Sequence, residues 1–305
     1  MAISNYPNGF EGGIALRNLP LYETFGGNVY WVHSVSGSDG GKGTRARPFA
    51  TIQYALTRCT AANGDVVMVK PGHTETVSAA GGLTPAAITG VTVVGLGRGS
   101  ERPTVNLTAT TSTVTITAAN TVFKNILFTG GIDAVASAIV VSAADCALIS
   151  CEYRDVTGQC TDGILTTAAA NRLLIKDFVY DGAAAAGTNA GIAIVGGDGI
   201  VIDGLRMDGN FAVGGIDIRT TATTDLEVRN VVFRTRNAAD IFIVDTVTAS
   251  TGIIGPYLYL RLQDNAANIT EAITGATFVQ HLPISVVNLA GEVGMTINTT
   301  ASTDA

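Results

Sequence analysis

Along the middle of the chain, apolar residues repeat a six-residue word in which the first, fourth and sixth positions are apolar. The plainest copy is Phe123, Ile126 and Phe128, and it returns as Leu148/Cys151/Tyr153, Ile175/Phe178/Tyr180, Ile202/Leu205/Met207 and Val228/Val231/Phe233, with a looser copy at Tyr257/Leu260/Leu262. Starts at 123, 148, 175, 202, 228 and 257 are 25, 27, 27, 26 and 29 residues apart, a fixed beat of the kind that marks a stacked repeat. About ten residues upstream of each copy runs a second, alternating word: Val114/Ile116, Ile139/Val141, Ile164/Thr166, Ile192/Ile194, Ile216/Ile218 and Ile241/Ile243. Alternation of this kind predicts half-buried strands, and a Gly before Ile164, Ile192 and Ile216 suits tight corners. Each repeat therefore reads strand, turn, strand, turn, with no segment long enough for a stacking helix.

Short strands on a beat of about 25 residues predict a β-solenoid, each coil pairing with the next at about 4.8 Å so that inward residues stack into ladders. Leucine-rich repeats need Leu and Asn at set positions, and propeller blades need about 40 residues. The pattern resembles the right-handed parallel β-helix of the pectate-lyase-like superfamily over roughly residues 64–263. The fold class expected is all-β, a single-stranded right-handed parallel β-helix with a short N-terminal capping helix and a β-structured C-terminal cap. The chain divides into an arm (1–35), a lead-in loop and capping helix (36–63), the β-helix (64–263) and a cap and tail (264–305).

Outside the regular coils the reading is local. The arm holds Asn5-Tyr-Pro-Asn-Gly-Phe10-Glu-Gly-Gly and Leu16-Arg-Asn-Leu-Pro-Leu21, segments suited either to fold back on the solenoid or to dock on a partner. After Pro48, Phe49, Ile52 and Leu56 sit at helical spacing and predict a short amphipathic helix ending before Asn63-Gly64, a lid for the open end of a solenoid. The glycine-rich run 37–43 lacks the order of a phosphate-binding loop. Val91-Thr-Val-Val94-Gly-Leu96 starts the word 32 residues ahead of Phe123. The C-terminal part holds Thr277-Phe-Val-Gln, Pro283-Ile-Ser-Val-Val-Asn and Met295-Thr-Ile-Asn, readable as a cap or as strands intertwined between subunits.

Composition narrows the chemistry. The chain has 305 residues, 47% hydrophobic and 14% charged, with 36 Gly and a net charge of −7; this balance argues against nucleic acid, which needs clustered Lys and Arg. Met1-Ala-Ile-Ser has neither a basic nor an apolar leader region, so no secretory signal is expected. No apolar run is long enough for a membrane helix. Cys59, Cys146, Cys151 and Cys160 lack zinc-like spacing, Cys151 falls on an inward ladder, and a Cys146–Cys160 bridge is one open arrangement. Charges form columns: Lys176, Asp203 and Arg229, and beside them Arg154, Asp181, Asp208 and Arg234, opposite signs that stacking would bring together.

Superfamily relatives that cleave acidic polysaccharides place carboxylates for calcium and a basic residue on one face. The matching candidates are Asp198, Asp203, Arg206 and Asp208, with Asp177, Asp181 and Asp217. A calcium site needs six to eight converging oxygens, which the cationic neighbours of Asp203 and Asp208 oppose, so no metal and no cofactor are expected. Were the chain an enzyme, Asp203 and Asp208 are the pair to examine, since a hydrolase needs two carboxyls about 5–10 Å apart. His33, His73 and His281 lie outside the repeats and suggest no nucleophile triad.

The motifs Ser4-Asn-Tyr-Pro-Asn-Gly-Phe10, Gly37-Ser-Asp-Gly through Arg47-Pro-Phe-Ala-Thr-Ile52 and Gly64-Asp-Val-Val-Met-Val-Lys-Pro-Gly-His73 are similar to β-helix proteins of tailed bacteriophages. The resemblance implies a non-enzymatic virion protein, a capsid decoration or fibre-like subunit that docks through its termini on the phage capsid, as a homotrimer, without membrane insertion. The alternative is a tailspike-type polysaccharide depolymerase, or a carbohydrate-binding adhesin, directed at a host surface glycan.

Overall fold

Backbone pairing follows the apolar word. In the computed structural model, which describes residues 27–155, 160–184, 187–235, 241–247, 249–261, 272–274 and 277–287, Phe123, Leu148, Ile175, Ile202 and Val228 are successive parallel partners in one sheet. Phe128, Tyr153, Tyr180, Met207 and Phe233 are successive partners in a second. Ile139, Ile164, Ile192, Ile216 and Ile243 do the same in a third. The three sheets hold ten, nine and seven strands among the described residues, and Gly197–Asp198 with Thr223–Thr224 forms a further two-stranded sheet, every pairing parallel and every neighbour one coil away. This is an all-β right-handed parallel β-helix of about eight turns.

The ladders close the interior. Phe123, Phe128, Phe178, Phe211, Phe233 and Phe242 are completely buried. Tyr153, Tyr180, Phe211, Phe233 and Phe242 form one column of rings with centroids 5.3, 5.5, 5.8 and 5.1 Å apart, a spacing at which aromatic pairs add about 0.5–1.5 kcal/mol each beyond burial. The glycines before the inward isoleucines have a packing reason. A Cβ on Gly163 would stand 2.4 Å from the Tyr180 ring, one on Gly191 2.4 Å from Met207 Cε, and one on Gly215 2.6 Å from the Phe233 ring. All four cysteines are free thiols in the buried interior, so Cys146 and Cys160 do not bridge.

Two corners recur along the coils with left-handed backbone. Between the first and second sheets, Asn125, Ser150, Asp177, Gly204, Asn230 and Tyr257 all have positive φ and are linked by ladder hydrogen bonds such as Asp177 N to Asp203 O, 2.8 Å. Asn120, Asp145, Arg172, Gly199 and Asp225 do the same before the first sheet. Gly, Asn and Asp accept this conformation readily; a bulky aromatic side chain does not. Tyr257, at φ 65° and 65% exposed, is the outlier. Tyr257→Asn is expected to stabilise the protein by about 1 kcal/mol, read as a higher denaturant midpoint at unchanged slope. An unchanged or lower midpoint would show that the exposed ring compensates for its backbone.

Register departs from the sequence reading at three places. Ile216 pairs with Ile243 and Ile218 with Asp245, two residues beyond the expected Ile241/Ile243. The last copy of the word is Ile254, Leu258 and Leu260, partners of Val228, Val231 and Phe233, because Gly255-Pro256-Tyr257 lengthens that corner. Phe123 pairs with Val93, not Val91. Parallel pairing also extends past both expected limits. Val29–Val32 joins Val66–Val69, while Thr277–Gln280 and Ile284–Val287 continue the first and second sheets.

The capping helix spans Ile52–Arg58 and buries Ile52, Ala55 and Leu56. It is shorter than the spacing predicted because Thr51 caps it, accepting from Tyr54 N at 3.1 Å, and Cys59 returns to extended backbone. The Glu75 carboxylate takes the Ile52 and Gln53 amides at 2.7 and 3.2 Å, satisfying donors that a helix start leaves unpaired. Among the described residues no helix is long and apolar enough to cross a membrane. The arm motifs at 5–13 and 16–21 and the strand expected at 295–298 lie outside the described residues.

Candidate functional site

The sequence-selected carboxylates are scattered: Asp203 on the first sheet, Asp181 and Asp208 on the second, Asp217 on the third and Asp198 on a separate two-stranded sheet. Asp203 is in the first, where it accepts from Arg229 Nε at 3.1 Å and Asn230 Nδ2 at 2.6 Å; the Asn230 hydrogen bond first, then Arg229 and Lys176, holds its carboxyl below the usual range. Asp208 is in the second sheet, 3.4 Å from Arg234. Arg154 stands 3.8 Å from Asp181. These are the opposite-charge columns that coil stacking brings together, and such exposed pairs contribute little each. Asp177 lies in a left-handed corner, and Asp198 accepts from the Thr224 hydroxyl at 2.6 Å.

A different carboxylate pair meets in the third sheet. Gly163 faces the Tyr180 ring inside, and its neighbour Asp162, in the strand Cys160–Thr166, is the residue that Arg219 reaches. Two coils on, Asp217 and Arg219 project from the end of Phe211–Ile218. Arg219 reaches past the intervening coil, where Ala190 is the register partner of Asp162 and Ala193 that of Asp217. Its Nη2 donates to Asp162 Oδ2 at 2.5 Å, and its Nη1 donates to Asp162 Oδ1 at 3.3 Å and Asp217 Oδ2 at 2.9 Å. The shared nitrogen holds the two carboxyl groups within two hydrogen-bond lengths of each other.

Burial sets the electrostatics. Asp162 and Asp217 are each 3% exposed, whereas the Arg219 side chain is 29% exposed and forms the solvent-facing edge of the cluster. Burial pushes both carboxyls above their ordinary range, against the pull of Arg219. Asp245 adds a further upward push on Asp217. Burial alone would pull Arg219 down, but its two carboxylates outweigh it and raise its pKa. Carboxyls displaced upward beside one cation are suited to holding and transferring a proton. Among the described residues no group of three or more His, Cys, Asp or Glu is placed to hold a metal ion.

Sequence reasoning placed Asp217 among the candidate acids but missed Asp162 and Arg219, which are 57 residues apart. One signal was present: Asp162 puts a carboxyl at a strand position where neighbouring coils carry Ser137, Ala190 and Gly214.

No protein-family model matches the sequence, and no curated protein does. One solved structure, described as a rhamnogalacturonan lyase, matches with a TM-score of 0.52 and 13% identity, over 90% of this chain and 86% of that one. The likeness is one of fold, a parallel β-helix. It corrects the expectation of a non-enzymatic chain: the same architecture carries a lyase, and the absence of a recognisable catalytic motif in the sequence is no ground for reading the solenoid as an inert rod.

Proposed function

We propose that the chain acts on a polysaccharide and cleaves it by proton transfer at the outer face of the third sheet. The observation that carries this reading is the pair Asp162 and Asp217, both displaced upward by burial and joined through the partly exposed Arg219. Arg219 presents the cationic edge that a sugar carboxylate or hydroxyl meets. Asp217, held by one hydrogen bond to Arg219 where Asp162 is held by two, is the freer proton carrier. Fold likeness to a rhamnogalacturonan lyase supports a glycan as the substrate class. The setting is taken from the phage-like motifs in the sequence alone: a tailspike-type depolymerase of a virion, trimeric, meeting a host surface glycan.

The test is a panel of neutral and acidic polysaccharides incubated with the purified chain, following new reducing ends and the ultraviolet absorbance of unsaturated sugar ends. Asp217→Asn keeps the Arg219–Asp162 pair and is expected to slow cleavage by about 10²–10⁴-fold. Cleavage by Asp217→Asn at the full rate would move the chemistry elsewhere, with Asp203 and Asp208 next to change. No cleavage of any glycan would sink the reading.

A further inference from the structure

Charge is unevenly spread along the solenoid. In the regular coils most arginines are paired: Arg102, Arg154, Arg172, Arg219, Arg229 and Arg234 each meet a carboxylate, while Arg206 and Arg261 meet none among the described residues. At the N-terminal end the pattern inverts. Lys42, Arg45 and Arg47 are exposed on one short loop, Lys70 Nζ donates to the Arg45 carbonyl at 2.7 Å, and none of the four pairs with a carboxylate among the described residues. The acids nearby in sequence are already committed to backbone amides. Asp39 accepts from Ala50 N at 2.8 Å, Asp65 from Asn28 N at 2.6 Å and Thr60 N at 2.7 Å, and Glu75 caps the helix.

The loop is held in place rather than merely solvated. Trp31 N donates to Gly43 O at 2.7 Å, and Arg47 N to Thr44 O at 3.1 Å. Arg45 lies over the Trp31 ring at 5.6 Å, a cation–π contact that orients the guanidinium. A Cβ at Gly43 would meet the Phe49 ring at 2.4 Å, so the loop is pressed onto the cap at that point.

We propose that this cationic loop, Lys42, Arg45 and Arg47 with Lys70, is a docking site for an acidic polysaccharide, separate from the third-sheet cluster. The choice of a glycan rests on the proposed function. Local chemistry supports it against the other polyanions. Protein interfaces are anchored by buried aromatic and aliphatic side chains, and here the exposed neighbours are Ser36, Ser38 and Thr44, with Val35 the one large exposed apolar residue of the segment. Single-stranded nucleic acid is bound by open aromatic faces, and the face of Trp31 beneath Arg45 is taken. Spaced cations among hydroxyls match a hydrated chain that carries one carboxylate per sugar.

The test compares the full chain with the triple variant Lys42→Ala/Arg45→Ala/Arg47→Ala in binding polygalacturonate, neutral dextran of equal length, polyglutamate and a DNA oligomer. Expected is salt-sensitive binding of polygalacturonate, weakened about 10- to 100-fold in the variant, with dextran unbound and the melting curve unchanged. Equal binding by the variant, or no binding by the wild-type chain, overturns the site. Polyglutamate or DNA bound as tightly as polygalacturonate overturns the glycan assignment. Failure of the two ideas is separable: a chain that binds through the loop but cleaves nothing loses the proposed activity and keeps the site, whereas a chain that cleaves with an indifferent triple variant does the reverse.

Discussion

Arg219→Met is expected to destabilise the protein by about 2–4 kcal/mol at neutral pH and by less than half of that near pH 5. The substitution keeps most of the apolar stem and removes one cation from two nearly buried carboxylates, and an unpaired buried charge is costly where a paired one is roughly neutral. The pH dependence follows from the direction of the shifts. Asp162 and Asp217 bind protons more tightly folded than unfolded. Each therefore contributes stability that is full below the unfolded carboxyl pKa and is lost as pH rises through the raised folded value. Without the guanidinium that folded value rises further, so the deficit grows with pH. Denaturant unfolding at the two pH values measures it, and a deficit equal at both would mean that the carboxyls are not the cause.

Gly163→Ala is the other large effect, expected to cost about 3 kcal/mol or more. The added Cβ would lie 2.4 Å from Tyr180 Cε2 and 2.6 Å from the Gly191 carbonyl. The ring cannot step aside, since Tyr153 and Phe211 pack against it with centroids 5.3 and 5.5 Å away and overpacked cores relax poorly. Gly191→Ala provides the comparison. There the first obstacle is the Met207 terminus, Cε at 2.4 Å, a flexible thioether that can find another rotamer. A cost at Gly191 equal to that at Gly163 would show that the backbone, not the ring, sets the penalty.

The interior of this solenoid was legible because a ladder is a local pattern. Phe123, Ile126 and Phe128 announce an inward strand, and the same spacing one coil later announces its partner. The corners were not legible. The residues sharing one left-handed position are Asn125, Ser150, Asp177, Gly204, Asn230 and Tyr257, types so unlike one another that only the backbone reveals their common demand. Register failed where a corner changed length, at Gly255-Pro256-Tyr257, because counting residues assumes equal coils. The carboxylate cluster escaped for a different reason. Asp162 and Arg219 meet across an entire intervening coil, so no local spacing links them. Asp203 and Asp208 drew notice as carboxylates clustered on one stretch of sequence, and the cations one coil away at matching positions satisfy them.

Among the described residues every sheet neighbour is one coil away in sequence, which bears on how the chain is assembled. A nascent strand needs only the coil synthesised just before it as a template, and the helix-covered end is made first. Growth can therefore proceed in the order of translation, each coil adding its enthalpy before the next is committed, without waiting for a distant segment to return. The energetic coupling between the two ends is correspondingly weak, and a lesion in one coil is felt chiefly by the two beside it.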